Sequence, residues 1–323
     1  MNPRDIRLAA AALLLATAPV LPAQEPAPDS RGKPASFEFK NEDSIVFLGS
    51  TVIEREQRYG WLETGLRLAL AEKKVSVRNL GWSGDTVFGH ARSYFGPPEE
   101  GIQRLSAHLE MLKPDVVVLC YGTELAHEGL SGLPAFLSGY RSLLDLVREK
   151  SPDVRFVIVA PPPLETLAPP LPDQAPANKN LASLRDALGK FAGSQNAFFV
   201  DTFQAMGGMP KPGRTEKPLT ENGIHYTEAG YQKLASEVVK SLGLKTPDVS
   251  PPAIDSLRKA IIAKDFLFFN RWRPQNETYL FGFRKHEQGQ NAKEIPMFDP
   301  LIADADKKID DLKTAALAAA KRP

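Results

Sequence analysis

Four short turns carry most of the groups in this chain that are able to do chemistry. They are Gly49-Ser50-Thr51, Asn79-Leu80-Gly81-Trp82-Ser83-Gly84-Asp85-Thr86, Gly122-Thr123-Glu124-Leu125 and Asn222-Gly223-Ile224-His225-Tyr226-Thr227. Together they hold hydroxyls, one imidazole, carboxyl and amide groups, and glycines whose backbone can come close to a ligand. A hydroxyl becomes a useful nucleophile when an imidazole takes its proton, and a developing oxyanion needs donors already in place. Gathered at one spot, these groups suit attack on a carbonyl. A different chemistry would use Glu124 as a general acid or base, or set it with His225, His127 and Asp85 around a metal. Those residues lack regular ligand spacing.

What must position the turns is legible in the runs that precede them. Ser44–Leu48, Val75–Leu80, Asp115–Cys120, Val154–Ala160 and Ala197–Val200 are short, apolar and rich in β-formers. Amphipathic stretches alternate with them at Tyr59–Leu70, Glu99–Leu112, Leu133–Glu149 and Ala177–Phe191, and a closing helix spans Thr227–Leu242. This alternation predicts an α/β protein, a three-layer sandwich with about five parallel strands and helices on both faces. In such sheets ligands bind beyond the carboxyl ends of the strands, where three of the four turns begin.

The four turns, in this order and spacing, resemble the four sequence blocks of the SGNH hydrolases, the GDSL-type esterases and lipases, across roughly Ile45–Leu244. The strongest matches are Asn-x-Gly-x-x-Gly-Asp-Thr at 79–86 and Gly-Ile-His-x-Thr-x-x-Gly-Tyr at 223–231. The resemblance implies a flavodoxin-like SGNH fold over 41–245. It also implies roles. Thr51 stands at the nucleophile position with Ser50 beside it as a second candidate, and His225 at the base. Gly84 and the Thr51 N–H match oxyanion donors. Three positions depart from the pattern: Thr51 replaces serine, Glu124 stands where the family has the oxyanion-hole asparagine, and Asn222 stands where it has the aspartate that orients the histidine. Glu221 is the alternative orienter. An ionised Glu124 would repel the oxyanion, whereas a protonated one could donate to it. Trp82, Asp85, Gly122 and Thr123 are expected to line the substrate site.

Length and composition narrow the rest. The chain has 323 residues, 42% of them hydrophobic, and 40 basic against 39 acidic side chains, for a net charge of +1. No broad basic field favours nucleic acid or an anionic membrane. Residues 1–23, with Arg4 and Arg7 before the apolar run Leu8–Leu21, read as a secretory signal. Residues 24–40 read as a flexible leader, and the protein is expected to be secreted or periplasmic with no membrane segment after signal removal. The lone Cys120 excludes an intramolecular disulfide framework and reads as a core residue. No cofactor is expected.

Residues 246–323 are expected to form a helical appendage packed on the core, with helices over Ile254–Phe269 and Ala303–Ala320. Between them, 276–291 interleaves aromatic and polar residues. It reads as an arm latched to the core, or as one reaching over the rim to add Arg284 or His286 to the site. The functional expectation is an exported ester hydrolase acting on a small-molecule or carbohydrate ester. The alternative is a catalytically inactive SGNH-fold protein that binds a ligand or glycan.

Overall fold

The computed structural model describes residues 36–321 except Phe95 and 210–216. The expected signal segment and most of the leader lie outside the described residues. The leader's last residues are not free: Phe39 is buried, and the Phe37 N–H donates to Leu242 O at 3.0 Å.

The elements run β1 (Ser44–Gly49), α1 (Thr51–Glu56), α2 (Trp61–Ala69), β2 (Ser76–Asn79), α3 (Pro98–Leu112), β3 (Val116–Cys120), α4 (Leu125–Glu128), α5 (Leu133–Lys150) and β4 (Arg155–Val159). They continue with α6 (Ala175–Ser194), β5 (Phe198–Val200), α7 (Thr202–Ala205), α8 (Glu228–Ser241), α9 (Pro251–Trp272), α10 (Glu277–Leu280), α11 (Lys285–Gln288) and α12 (Phe298–Ala320). The five strands form one parallel sheet in the order β2-β1-β3-β4-β5.

Both faces of the sheet are covered, which is why its strands read as continuous apolar runs. Successive side chains point to opposite faces. Val46, Leu48, Val117, Leu119 and Ile158 pack with Leu105, Leu109, Tyr140, Leu144 and Leu184 of α3, α5 and α6. Ile45, Phe47, Val116, Val118 and Val157 pack with Leu62, Leu66, Leu234 and Val238 of α2 and α8. The Thr227 hydroxyl caps α8 by accepting from the Gly230 N–H at 3.2 Å.

The C-terminal helices are bound to the edge of this sheet. Leu257 and Ile261 of α9 share a cluster with Ile309 and Ala316 of α12 and Leu68 of α2. Edge strand β2 would otherwise present unpaired carbonyls. Instead the buried Lys264 ammonium donates to Val77 O at 3.0 Å, and also to Glu63 at 2.7 Å and Asp265 at 2.5 Å. Arg78 of β2 reaches Asp306 of α12 at 2.5 Å, and buried Arg67 joins Glu63 at 2.7 Å and Asp310 at 3.2 Å. Among the described residues, no helix is long and apolar enough to cross a membrane.

Candidate active site

The sheet order decides which turns can meet. Because β1 lies between β2 and β3, the chain leaving β1 is flanked by the turns after the other two strands. The Ser50 N–H donates to Cys120 O at 3.2 Å and the Trp82 N–H donates to Gly49 O at 3.0 Å. The turn after β2 is then pressed onto α1. The Asn79 amide donates to Ile53 O at 2.8 Å while its oxygen accepts the Gly81 N–H at 2.8 Å. A side chain at Gly81 would put its Cβ 2.3 Å from the Glu54 nitrogen, so only glycine permits this approach. Gly84 turns back with φ +76°. Its N–H donates to Thr51 Oγ1 at 3.3 Å.

Ser50 and Thr51 are not equivalent. Ser50 is 9% exposed and its backbone precedes α1 in extended form. Thr51 opens α1 and is only half-buried, as are Asn222 and His225, while Ser83 and Gly84 are exposed. The accessible hydroxyl is therefore that of Thr51.

The His225 turn is fastened to the same end of α1. Arg55 pairs with Glu221 at 3.1 Å, and the Tyr231 hydroxyl of α8 donates to Val52 O at 2.8 Å. Within the turn the Asn222 side-chain oxygen accepts two backbone N–H groups, from Ile224 at 3.1 Å and His225 at 2.9 Å. Those bonds fix which end of the amide faces the ring. Asn222 Nδ2 stands 3.3 Å from His225 Nδ1. An NH2 can only donate, so Nδ1 must accept and the ring proton sits on Nε2. A carboxylate at 222 would select the opposite tautomer and leave Nε2 free to take a proton. Burial pushes the His225 pKa below its ordinary value, with the Arg55 charge adding to this and Glu221 opposing it. Among the described residues, no hydrogen bond joins the His225 ring to Thr51 or Ser50.

Glu124 stands immediately before the short helix α4, at the exit of β3, with its Thr123 neighbour half-buried. Burial raises its pKa; the backbone amides of Glu124 and Gly122 pull it back, and the Glu128 and Asp85 charges push it further up. Its carboxyl is thus biased toward the protonated form that donates a hydrogen bond.

Several expected site residues are occupied elsewhere. Glu221 does not orient His225, because its carboxylate is turned to Arg55. Asp85 is 1% exposed, bound to Arg92 at 2.7 Å and to the Tyr121 hydroxyl at 3.3 Å, and so braces its turn from inside. Trp82 is 5% exposed: Arg273 stacks 3.5 Å from its ring centroid, so it forms no open platform beside Thr51. Gly122 is buried against Leu184 and Phe136. Arg284 is held inside its own segment by Glu287 at 2.6 Å and by Tyr279, and His286 is 73% exposed and lies 3.7 Å from Glu287. Neither reaches the Thr51 turn, so the 276–291 segment is latched to the core, where Glu277 pairs with Arg104 of α3.

Glu54 and Arg55, in the charged run Glu54-Arg55-Glu56, act as fasteners. Glu54 accepts the Ser83 N–H with one oxygen and meets Arg273 at 3.4 Å with the other. Arg55 holds the His225 turn. Arg273 was not legible as a site residue, since nothing local in Arg-Trp-Arg-Pro points back to α1. Among the described residues, no group of three or more His, Cys, Asp or Glu side chains is arranged to hold a metal.

A model of the GDSL-like lipase/acylhydrolase family matches residues 43–233, from the start of β1 into α8. The chain belongs to this family. Family members are ester hydrolases and acylhydrolases, and the matched region contains all four turns. No curated protein matches the chain in sequence. Among solved structures it is similar to a protein described as a GDSL-like lipase from Parabacteroides merdae, at 19% identity and TM-score 0.51, covering 65% of this chain and all of that one. It is also similar to a gut microbial diltiazem-metabolizing enzyme, at 10% identity and TM-score 0.60, covering 87% of this chain and 97% of that one. At such identities these likenesses speak to the fold.

Proposed function

We propose that this GDSL-family member hydrolyses ester bonds with Thr51 as nucleophile, at a site whose base is weakened by Asn222. The observation that carries the reading is the Gly84 N–H 3.3 Å from Thr51 Oγ1, a donor beside an accessible hydroxyl. An ester carbonyl seated there would accept from Gly84 and from the Thr51 backbone N–H. Attack forms the bond from Thr51 Oγ1 to the acyl carbon, and the hydroxyl proton passes to His225. The alkoxide leaves with that proton, and water then releases the acid from the enzyme. His225 can take the proton at Nε2 only after it gives up the tautomer that Asn222 imposes, so the step is slow.

An acylated carbohydrate is the substrate class we favour, because the rim is hydroxyl- and amide-rich. Arg4 and Arg7 ahead of the apolar run Leu8–Leu21 support export, which would bring such a substrate within reach. A second reading, a ligand-binding protein that retains the converging turns without turnover, is favoured by the locked Asn222 amide. Hydrolysis of short-chain p-nitrophenyl esters separates them. Activity in the wild type that disappears in both Thr51→Ala and His225→Ala supports the esterase. Absence of turnover across a broad ester panel supports the binding protein.

A further inference from the structure

A groove separate from the Thr51 turn lies between α3, the turn at 90–94 and the C-terminal segment. Its inner lobe, about 260 Å³, is walled by Trp82, Tyr94, Arg104, His108, Trp272 and Phe281. An outer lobe of about 210 Å³ shares Tyr94, Arg104, Glu277 and Phe281 with it and adds Phe283. Together they fall in the size range of small-molecule sites, roughly 300–1,000 Å³.

Three features mark this groove as a built surface. Tyr94 and Phe281 are 43% and 52% exposed, two large aromatic side chains turned to solvent around one depression. Tyr94 is also held at φ +49°, in the left-handed region that a bulky residue adopts only under strain. Its ring stands edge-on to Trp82 at 5.5 Å, with the Arg104 guanidinium 4.6 Å from its centroid. Finally, polar side chains stand partly open among the aromatic ones: Arg104, Glu277 and Arg271 all line the groove without being fully buried. Burial, then the Arg92 charge, lowers His108 to about 4, so its imidazole is neutral near pH 7.

The charges of the wall are already balanced. Arg104 is paired with Glu100 at 2.7 Å and with Glu277, and Arg271 with Asp299 at 2.8 Å. An anionic ligand would find no free cation and would have to displace a carboxylate. A neutral ring with polarised C–H faces and peripheral hydroxyls suits both the aromatic walls and the partly open Arg104, Glu277 and Arg271, which hydroxyls can meet without breaking the ion pairs.

We propose that this groove binds neutral carbohydrate, one sugar ring to a lobe, as a subsite adjoining the Gly84 turn through Trp82. The choice of ligand class extends the reading of the protein as a carbohydrate esterase, but the groove is independent of Thr51 and His225. Intrinsic tryptophan fluorescence of the full chain, titrated with β-1,4-linked xylotetraose and cellotetraose, tests it, with tetragalacturonate as the anionic probe. A saturable change with a neutral probe is expected, at least tenfold tighter than with tetragalacturonate. Tyr94→Ala and Phe281→Ala are each expected to weaken binding about tenfold while Tyr94→Phe retains it. Thr51→Ala and His225→Ala are expected to bind as the wild type does. Binding that survives in a protein without turnover would uphold the groove and reject the esterase. No saturable change with either neutral probe overturns the proposal, as does tetragalacturonate binding as tightly, or binding lost in His225→Ala and kept in Phe281→Ala.

Discussion

The Gly84 N–H donates to Thr51 Oγ1 at 3.3 Å, joining two turns that stand 33 residues apart in the chain. The contact exists because β1 and β2 are neighbours in the sheet and because Gly81 lets the second turn lie flat on α1. It selects one hydroxyl of two. Thr51 faces the donor and is accessible, while Ser50 is buried beneath it.

The Thr51 assignment makes the two hydroxyls separable. Thr51→Ala is expected to lower kcat/KM for p-nitrophenyl acetate by at least about 10³-fold, the scale of losing a nucleophile. Thr51→Ser, which removes the β-methyl that restricts the rotamer, should raise it several-fold. Ser50→Ala should change it less than either. Steady-state kinetics on the three variants decides; a larger loss in Ser50→Ala would move the nucleophile to Ser50.

Asn222→Asp is expected to raise turnover. The carboxylate would accept from Nδ1–H of His225 and free Nε2 as a base, reversing a defect that costs about 10⁴ in a serine-protease triad when aspartate becomes asparagine. An increase of tenfold or more is anticipated here. Nitrogen chemical shifts of the ring should report the proton on Nε2 in the wild type and on Nδ1 in the variant. A wild-type ring already protonated at Nδ1 would remove the argument.

The pH dependence follows from the charges around His225. Its pKa is lowered by burial first and by Arg55 next, so the group deprotonates at a pH below its ordinary value near 6.5. The acid limb of the kcat/KM profile should therefore lie below that pH. Arg55→Ala removes a repelling cation and frees the Glu221 carboxylate, and both changes raise the pKa. The limb should shift to higher pH in this variant, and Glu221→Gln should shift it the other way.

Arg273 is predicted to act on the site from the appendage. It stacks on Trp82 and meets Glu54, whose other oxygen holds the Ser83 N–H next to Gly84. Arg273→Ala should lower kcat more than it raises KM, because the donor turn loosens rather than the ligand contacts. A desolvated cation–π contact of about 2 kcal/mol is lost with it, so a fall in Tm should accompany the change. Loss of stability with kcat intact would confine Arg273 to folding.

Lys264 links the appendage to the sheet edge through Val77 O, Glu63 and Asp265, all in the interior. Removing one partner leaves buried charges uncompensated, which costs about 3–5 kcal/mol. Lys264→Met should lower urea-unfolding stability by that amount. A change below 1 kcal/mol would mean that water reaches the cluster.

The α/β sandwich was legible because its signals are local. Val116–Cys120 reads as a buried strand from its own residues, and the observed strand has the bounds Val116–Cys120 against an expected start at Asp115. Thr227 as a helix start needed only the neighbours that follow it. The turns that carry Thr51, Gly84, Glu124 and His225 were visible for the same reason, since glycine and hydroxyl residues at strand exits break the apolar pattern.

Sequence by itself determined the order of strands and helices, the four turns and the three departures from the family pattern, because periodicity and turn chemistry are written within a few residues. Tertiary structure decided what each polar side chain does. Asp85 turned inward because Arg92 completes it, Glu54 and Arg55 became fasteners through Arg273 and Glu221, and Asn222 presents its NH2 to His225 because two backbone N–H groups claim its oxygen. A polar group takes the partner that burial leaves it. For Arg55 and Arg273 that partner lies far along the chain, where no local pattern can name it.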